Sequence, residues 1–238
     1  MKRALLAASI LFGAVLGLYA QQPMRATGAP VAAHSAPMPP ASPEKIWAEL
    51  MEGNERFVAG KPARHDVVGL RGTLAKGQHP QVIVLGCSDS RVAPELLFDQ
   101  TLGDLFVVRS AGNLADAVGL GSIEYAVEHL GSTVVVVLGH QKCGAVTAAC
   151  SQQKMPTPNL QAIVDKINPA VLAVGDSEKG DARIEAAIRQ NVHHGARELL
   201  VNSEILRHAA DEGRLTVIEA EYSLDTGRVT RLEPPTVH

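Results

Sequence analysis

Three short apolar runs in this chain have no polar residue alternating through them: Val82-Ile83-Val84-Leu85, Leu105-Phe106-Val107-Val108 and Thr133 to Leu138, which holds four consecutive valines. A strand with one wet face alternates, whereas an unbroken apolar strand needs cover on both faces, which points to a parallel sheet between layers of helix. The intervening segments supply those helices. Ser122 to His129 reads as one, with Gly119 and Gly121 before it and Gly131 after it. Others are expected across residues 159–173 and from Asp181 to about Ala210, with a break near Ser203. At the front, Ser42 and Pro43 precede Ile46, Trp47, Leu50, Met51 and Phe57 at helical spacing, ending near Gly60 and Pro62. Leu215 to Glu219, the turn Asp225-Thr226-Gly227 and Val229 to Leu232 close the chain. The expected fold is α/β: a mostly parallel central sheet flanked by helices, with an N-terminal helical arm and an edge antiparallel strand.

With 238 residues the chain has material for one sizeable core plus a remainder. Residues 1–20 read as a signal peptide: Lys2 and Arg3, an apolar run from Ala4 to Tyr19, then Ala20 before the polar Gln21-Gln22. That run is shorter than the roughly 20 residues a bilayer span prefers, which favours a cleaved signal over a retained anchor. Leu18, three residues before the expected cut, is larger than the usual small residue there, and no cysteine follows to accept a lipid. Residues 21–43 carry six prolines among alanines and read as a semi-stiff tether, leaving residues 44–238 as the catalytic domain. An exported protein, periplasmic or secreted and without a stable membrane span, is the expectation. A formal charge of −3 and a pI near 6.3 give no reason to expect nucleic acid or an acidic surface as partner, so the substrate is expected to be small.

Two polar clusters interrupt the apolar pattern: Cys87-Ser88-Asp89-Ser90-Arg91 follows the first apolar run, and His140-Gln141-Lys142-Cys143 follows the third. In an open parallel sheet the loops at the carboxyl ends of neighbouring strands converge, so residues 53 apart in sequence (87 and 140) are expected side by side. Two thiolates and an imidazole suit Zn²⁺, and Cys87, His140 and Cys143 leave the fourth tetrahedral position to water or to Asp89. Such a set carries no net charge with the metal, so a zinc-bound hydroxide is available near neutral pH. Asp89 and Arg91, two apart, suit a charge-assisted pair that holds the carboxylate off the metal; released, Asp89 becomes a ligand and shuts the site. A different reading makes Cys87 and Cys143 a redox pair that oxidises in an exported protein and releases metal. Cys150 is the odd thiol and reads as a buried, inert side chain. His193 and His194 read as solvated or capping residues of a helix, with proton relay the minority reading, and His129 as a helix-end residue.

Cys-Ser-Asp-Ser-Arg followed by His-x-x-Cys-Gly resembles the β-class carbonic anhydrases. The likeness runs from about residue 44 onward through Gly53-Asn54-x-Arg56-Phe57, Gly112-Asn113, Ile123-Glu124-Tyr125-Ala126 and the Tyr222 to Leu232 tail. It implies a zinc-dependent enzyme interconverting CO₂ and bicarbonate, with Cys87, His140 and Cys143 on the metal and Asp89–Arg91 beside them. It further implies that Gln100 positions substrate through its side chain and Gly144 through its backbone amide; on sequence alone Gln100 equally suits a solvated loop amide. Tyr125 is read on the helix face toward the sheet, either in the core or in a cleft wall. The resemblance implies a homodimer or homotetramer, with residues 44–60 packing on a neighbour. Some relatives carry a tryptophan in an inhibitory bicarbonate pocket where this chain has Val84, so that pocket is not expected and the open, water-bearing site should dominate. Leu114 to Leu120, which lines the cleft from a partner in related chains, receives no assignment. Hydrolysis of carbonyl sulfide or carbon disulfide is the rival reaction for the same site.

Overall fold

Ser42 begins the first helix as expected: its hydroxyl accepts from the Lys45 amide, Pro43 takes the first helical position, and α1 runs Pro43–Val58. The computed structural model describes residues 41–175 and 178–233, so the signal-peptide reading and nearly all of the tether lie outside the described residues. After α1 come α2 (Val67–Leu74), β1 (Val82–Cys87), α3 (Pro94–Leu97), β2 (Leu105–Ser110), α4 (Ala117–Leu130), β3 (Val134–His140), α5 (Gly144–Cys150) and α6 (Pro158–Val174). The chain continues through α7 (Gly180–Asn202), α8 (Glu204–Asp211), β4 (Thr216–Tyr222) and β5 (Val229–Arg231). The break near Ser203 is real, and its hydroxyl caps α8 by accepting from the Leu206 amide.

The strands pair in the order β2-β1-β3-β4-β5, with β2, β1, β3 and β4 parallel and β5 antiparallel at the edge. Because side chains alternate along a strand, the continuous apolar runs feed two cores at once. Val82, Val84, Val134, Val136, Leu138 and Ile218 point to the layer containing Ile46 and Leu50 of α1 and Leu97 and Phe98. Ile83, Leu85, Val135 and Val137 point the other way, to Ile123 and Ala126 of α4, Val192 and Leu199 of α7 and Leu206 of α8. The inward face of α1 is packed on this chain's own sheet.

Three boundaries differ from the sequence reading. Strand β1 takes in Cys87 and β3 takes in His140, because pairing continues to Cys87 opposite Ser110 and His140 opposite Tyr222. Helix α4 starts well before Ser122: Asp116 caps it through the Gly119 amide, and Gly119 and Gly121 lie inside it. A side chain at Gly119 would make only ordinary contact with Asp116 and Val108, at 3.4 and 3.5 Å, and the glycine does not end the helix. Tyr125 is half-exposed and stacks obliquely on His129, with ring centroids 5.2 Å apart, so neither the core nor the sheet claims it.

Candidate active site

The connection from β1 goes to β2 on one side of the sheet, and that from β3 goes to β4 on the other. Between β1 and β3, at their carboxyl ends, the strand order reverses direction, the point at which open sheets of this kind place their ligand sites. Cys87 ends β1 and His140 ends β3, so the topology alone sets a thiol beside an imidazole. Cys143, the residue before α5, completes the group: Sγ of Cys87, a ring nitrogen of His140 and Sγ of Cys143 lie within 4.8 Å of one another, and all three residues are buried.

Zinc with Zn–S near 2.3 Å and Zn–N near 2.0 Å separates tetrahedral ligand atoms by about 3.3–3.8 Å, which this cluster can meet by small adjustments. The imidazole supplies the sharper test. His140 Nδ1 bonds the Gln141 carbonyl at 2.9 Å, which directs Nε2 into the cluster. There Nε2 is fully buried without a hydrogen-bond partner among the described residues, a costly arrangement that a metal ion relieves. The thiols fit as well. Their shared hydrogen bond, helped by His140 and by the Gly112 and Asp89 amides, outweighs burial and lowers the Cys87 thiol, while the same bond and burial push the Cys143 thiol up. A divalent cation there would hold both sulfurs as thiolates and release the protons they carry. Burial pulls the His140 ring down, but the neighbouring Cys87 thiolate, the Gln141 carbonyl and the Asp89 carboxylate raise it overall.

Asp89 stands at the rim. Arg91 grips it with two parallel bonds, Nε to Oδ1 at 2.9 Å and Nη2 to Oδ2 at 2.7 Å, and the Arg91 amide adds a third at 2.9 Å. These bonds outweigh partial burial and hold the Asp89 carboxyl well below the usual carboxylate range. Oδ2 lies 4.0 Å from His140 Nε2, close enough to face the cluster while bonded away from it. Of the remaining expected residues, Gly144 opens α5 beside Cys143, with open space where a side chain would be. Gln100 stands in the loop after α3, its amide donating to the Phe98 carbonyl at 2.9 Å.

The sequence reading missed the residues that hold this loop in place. Arg109 of β2 donates to the carbonyl oxygens of Cys87 (2.8 Å) and Asp89 (2.6 Å), clamping both ends of the Cys-Ser-Asp segment, and the Ser88 amide bonds the Ser110 carbonyl. An arginine within an otherwise apolar strand was the available signal. Cys150 is half-buried beside the α5–α6 layer. His193 pairs with Glu219 of β4, and His194 contacts Arg197.

Comparison with known proteins agrees with this geometry. The carbonic anhydrase family's sequence model matches residues 82–229. Carbonic anhydrase 2 of Mycobacterium tuberculosis is 42% identical over 195 residues, covering 80% of this chain and 93% of its own. The carbonic anhydrase of Mycolicibacterium smegmatis is 40% identical over 197 residues, covering 81% and 94%. Among solved structures, the β-carbonic anhydrase CafA of Aspergillus fumigatus aligns with a TM-score of 0.63 at 29% identity, over 79% of this chain and 91% of its own. A tetrameric β-carbonic anhydrase of Sordaria macrospora aligns with a TM-score of 0.62 at 26% identity, over 81% and 100%. Sequence kinship and shared architecture converge on one assignment: this chain belongs to the carbonic anhydrase family, in its β class.

Proposed function

We propose that the chain catalyses the reversible hydration of CO₂ to bicarbonate and a proton, using zinc held by Cys87, His140 and Cys143. Bound there, zinc supplies the Lewis acidity that brings the ionisation of a water toward neutral pH. The protein's own residues do the rest. Backbone amides, that of Gly112 at 3.4 Å among them, donate to the Cys87 sulfur and spread its charge. Asp89 stays ionised, so its Oδ2 is available to accept a hydrogen bond from the reacting water, while Arg91 holds that carboxylate at the rim. Gly144 offers its amide, and Gln100 its second side-chain N–H, to a substrate oxygen; a donor aimed at the developing negative charge lowers the barrier.

The single observation carrying this reading is the buried, unpartnered His140 Nε2 among two thiols, with a carboxylate tethered beside it. Zinc analysis coupled to stopped-flow CO₂ hydration on the purified chain tests it. One zinc per chain and hydration well above the uncatalysed rate are expected; a metal-free protein or an uncatalysed rate rejects it.

The working form is a homodimer or homotetramer. The tetrameric Sordaria relative and the exposed apolar residues Val118 and Tyr125 on α4 support that reading. The chain is exported, a reading supported by Lys2, Arg3 and the apolar run that follows them. No helix among the described residues is long and apolar enough to cross a membrane. Light scattering and the N-terminal sequence of protein recovered from outside the cytoplasm decide these points.

A further inference from the structure

Asn191 lies in the middle of α7, is 1% exposed, and faces the loop after β2 across 79 residues of sequence. Its Nδ2 donates to the Gly112 carbonyl at 2.8 Å and approaches Asn113 Oδ1 at 3.4 Å. Gly112 turns its amide the opposite way, onto Cys87 Sγ at 3.4 Å. The peptide units around Gly112 are unusual: Gly112 has φ +78 and Asn113 φ +48, both left-handed. A side chain at Gly112 would press within 2.8 Å of Ile167 and 3.3 Å of Ala145, so the backbone has to pass close here. Such a loop keeps its orientation only while something fixes its carbonyl.

We propose that Asn191 is a positioning residue for the zinc centre: by holding the Gly112 carbonyl it aims the Gly112 amide at the Cys87 sulfur and so sets how much charge that thiolate gives to the metal. The inference rests on the zinc reading above. Hydrogen bonds to ligating atoms typically alter metal affinity 10–100-fold when lost. Removing the donor on Asn191 lets the backbone at Gly112 rotate, and Cys87 becomes a more basic, more strongly donating ligand in a less well organised site. A purely structural role for Asn191 would instead lower stability and leave the metal's electronic surroundings alone.

The test replaces zinc by Co²⁺ in the full chain and reads the thiolate-to-cobalt charge-transfer band, with zinc affinity measured separately by competition with a chromophoric chelator. In Asn191→Leu the band is expected to move to lower energy and zinc affinity to fall 10–100-fold. Asn191→Ser, which shortens the donor and demands less of the packing, is expected to show the same band shift and serves if the leucine variant does not fold. Asn54→Leu, which removes an equally buried amide from the opposite side of the sheet, is expected to lower stability with no band shift. An unmoved band and unchanged zinc affinity in the folded Asn191 variant overturn the proposal, as does an equal shift in Asn54→Leu. Absence of any charge-transfer band in the unaltered protein rejects the zinc reading itself, which keeps the two failures apart.

Discussion

Asp89 is the residue on which the chemistry turns, because its two oxygens face opposite demands. Arg91 occupies both while Oδ2 points toward His140. A carboxylate that close to a divalent ion would ordinarily join it, and the fork geometry of a guanidinium is what competes with that. Asp89→Ala should therefore keep its zinc, since the three ligands remain, and lose turnover by roughly 10²–10⁴, the usual worth of a positioned acid–base group. Full activity with full zinc would remove Asp89 from the mechanism. Arg91→Lys tests the restraint separately. A lysine offers one point of charge where two parallel bonds are needed, so zinc content should hold while hydration falls at least tenfold as Asp89 gains access to the metal. Unchanged stopped-flow rates would mean that the pair is decorative.

At the level of elements, α1 is docked by polar groups as much as by its apolar face. Asn54 is buried; its Nδ2 donates to the carbonyls of Leu97 and Gly227, and its Oδ1 accepts from the Val229 amide. Gly53 is required at the crossing, since a Cβ there would fall onto the Phe98 carbonyl. Asn54→Leu strands three backbone groups and should cost about 3 kcal/mol, seen as a fall of about 10 °C in Tm with zinc content unaffected. Arg56 bonds Asp99 at 2.5 Å. Burial pushes the Asp99 carboxyl up, but Arg56, the Ala63 amide and His65 outweigh it and leave it lowered. A depressed folded pKa contributes stability fully above the unfolded carboxylate value of about 3.9 and loses it as pH falls through the lower folded value. Asp99→Asn should therefore flatten the loss of urea stability between about pH 5 and 3; an unchanged slope would show that other carboxylates govern it. These contacts explain what could be read from sequence and what could not. The strands and the Cys-x-Asp-x-Arg and His-x-x-Cys clusters were legible because each is a contiguous pattern. Short α2, α3 and α5 span too few turns to show a helical period. Asn54 and Asn191 act on partners up to 175 residues away, and nothing local in the sequence marks such a bond, whereas Arg109 showed only as a charge inside an apolar strand.

Across the whole molecule, the metal cluster sits in only one of the apolar layers. The two cores on either face of the sheet contain neither cysteine. Cys87 and Cys143 instead belong to a third cluster with Val146 of α5, Val164 and Ile167 of α6, and Ile188 of α7. The metal would thus join the ends of β1 and β3 to α5 and, through it, to α6, while the sheet is secured independently by its own burial. Zinc at a hundredfold excess over its dissociation constant should add about 2.7 kcal/mol, or roughly 5–10 °C in Tm for a domain of this size. Chelation should therefore lower Tm by that amount, reversibly, with far-UV dichroism nearly unchanged at 25 °C. Hydrogen exchange locates the effect: amides of α5 and α6 should lose protection while those at the centre of the sheet, Ile83 to Leu85 of β1 and Val135 to Val137 of β3, keep theirs. Uniform loss across the sheet would mean that the metal organises the whole fold, and no loss in α5 would mean that the cluster is braced by packing alone.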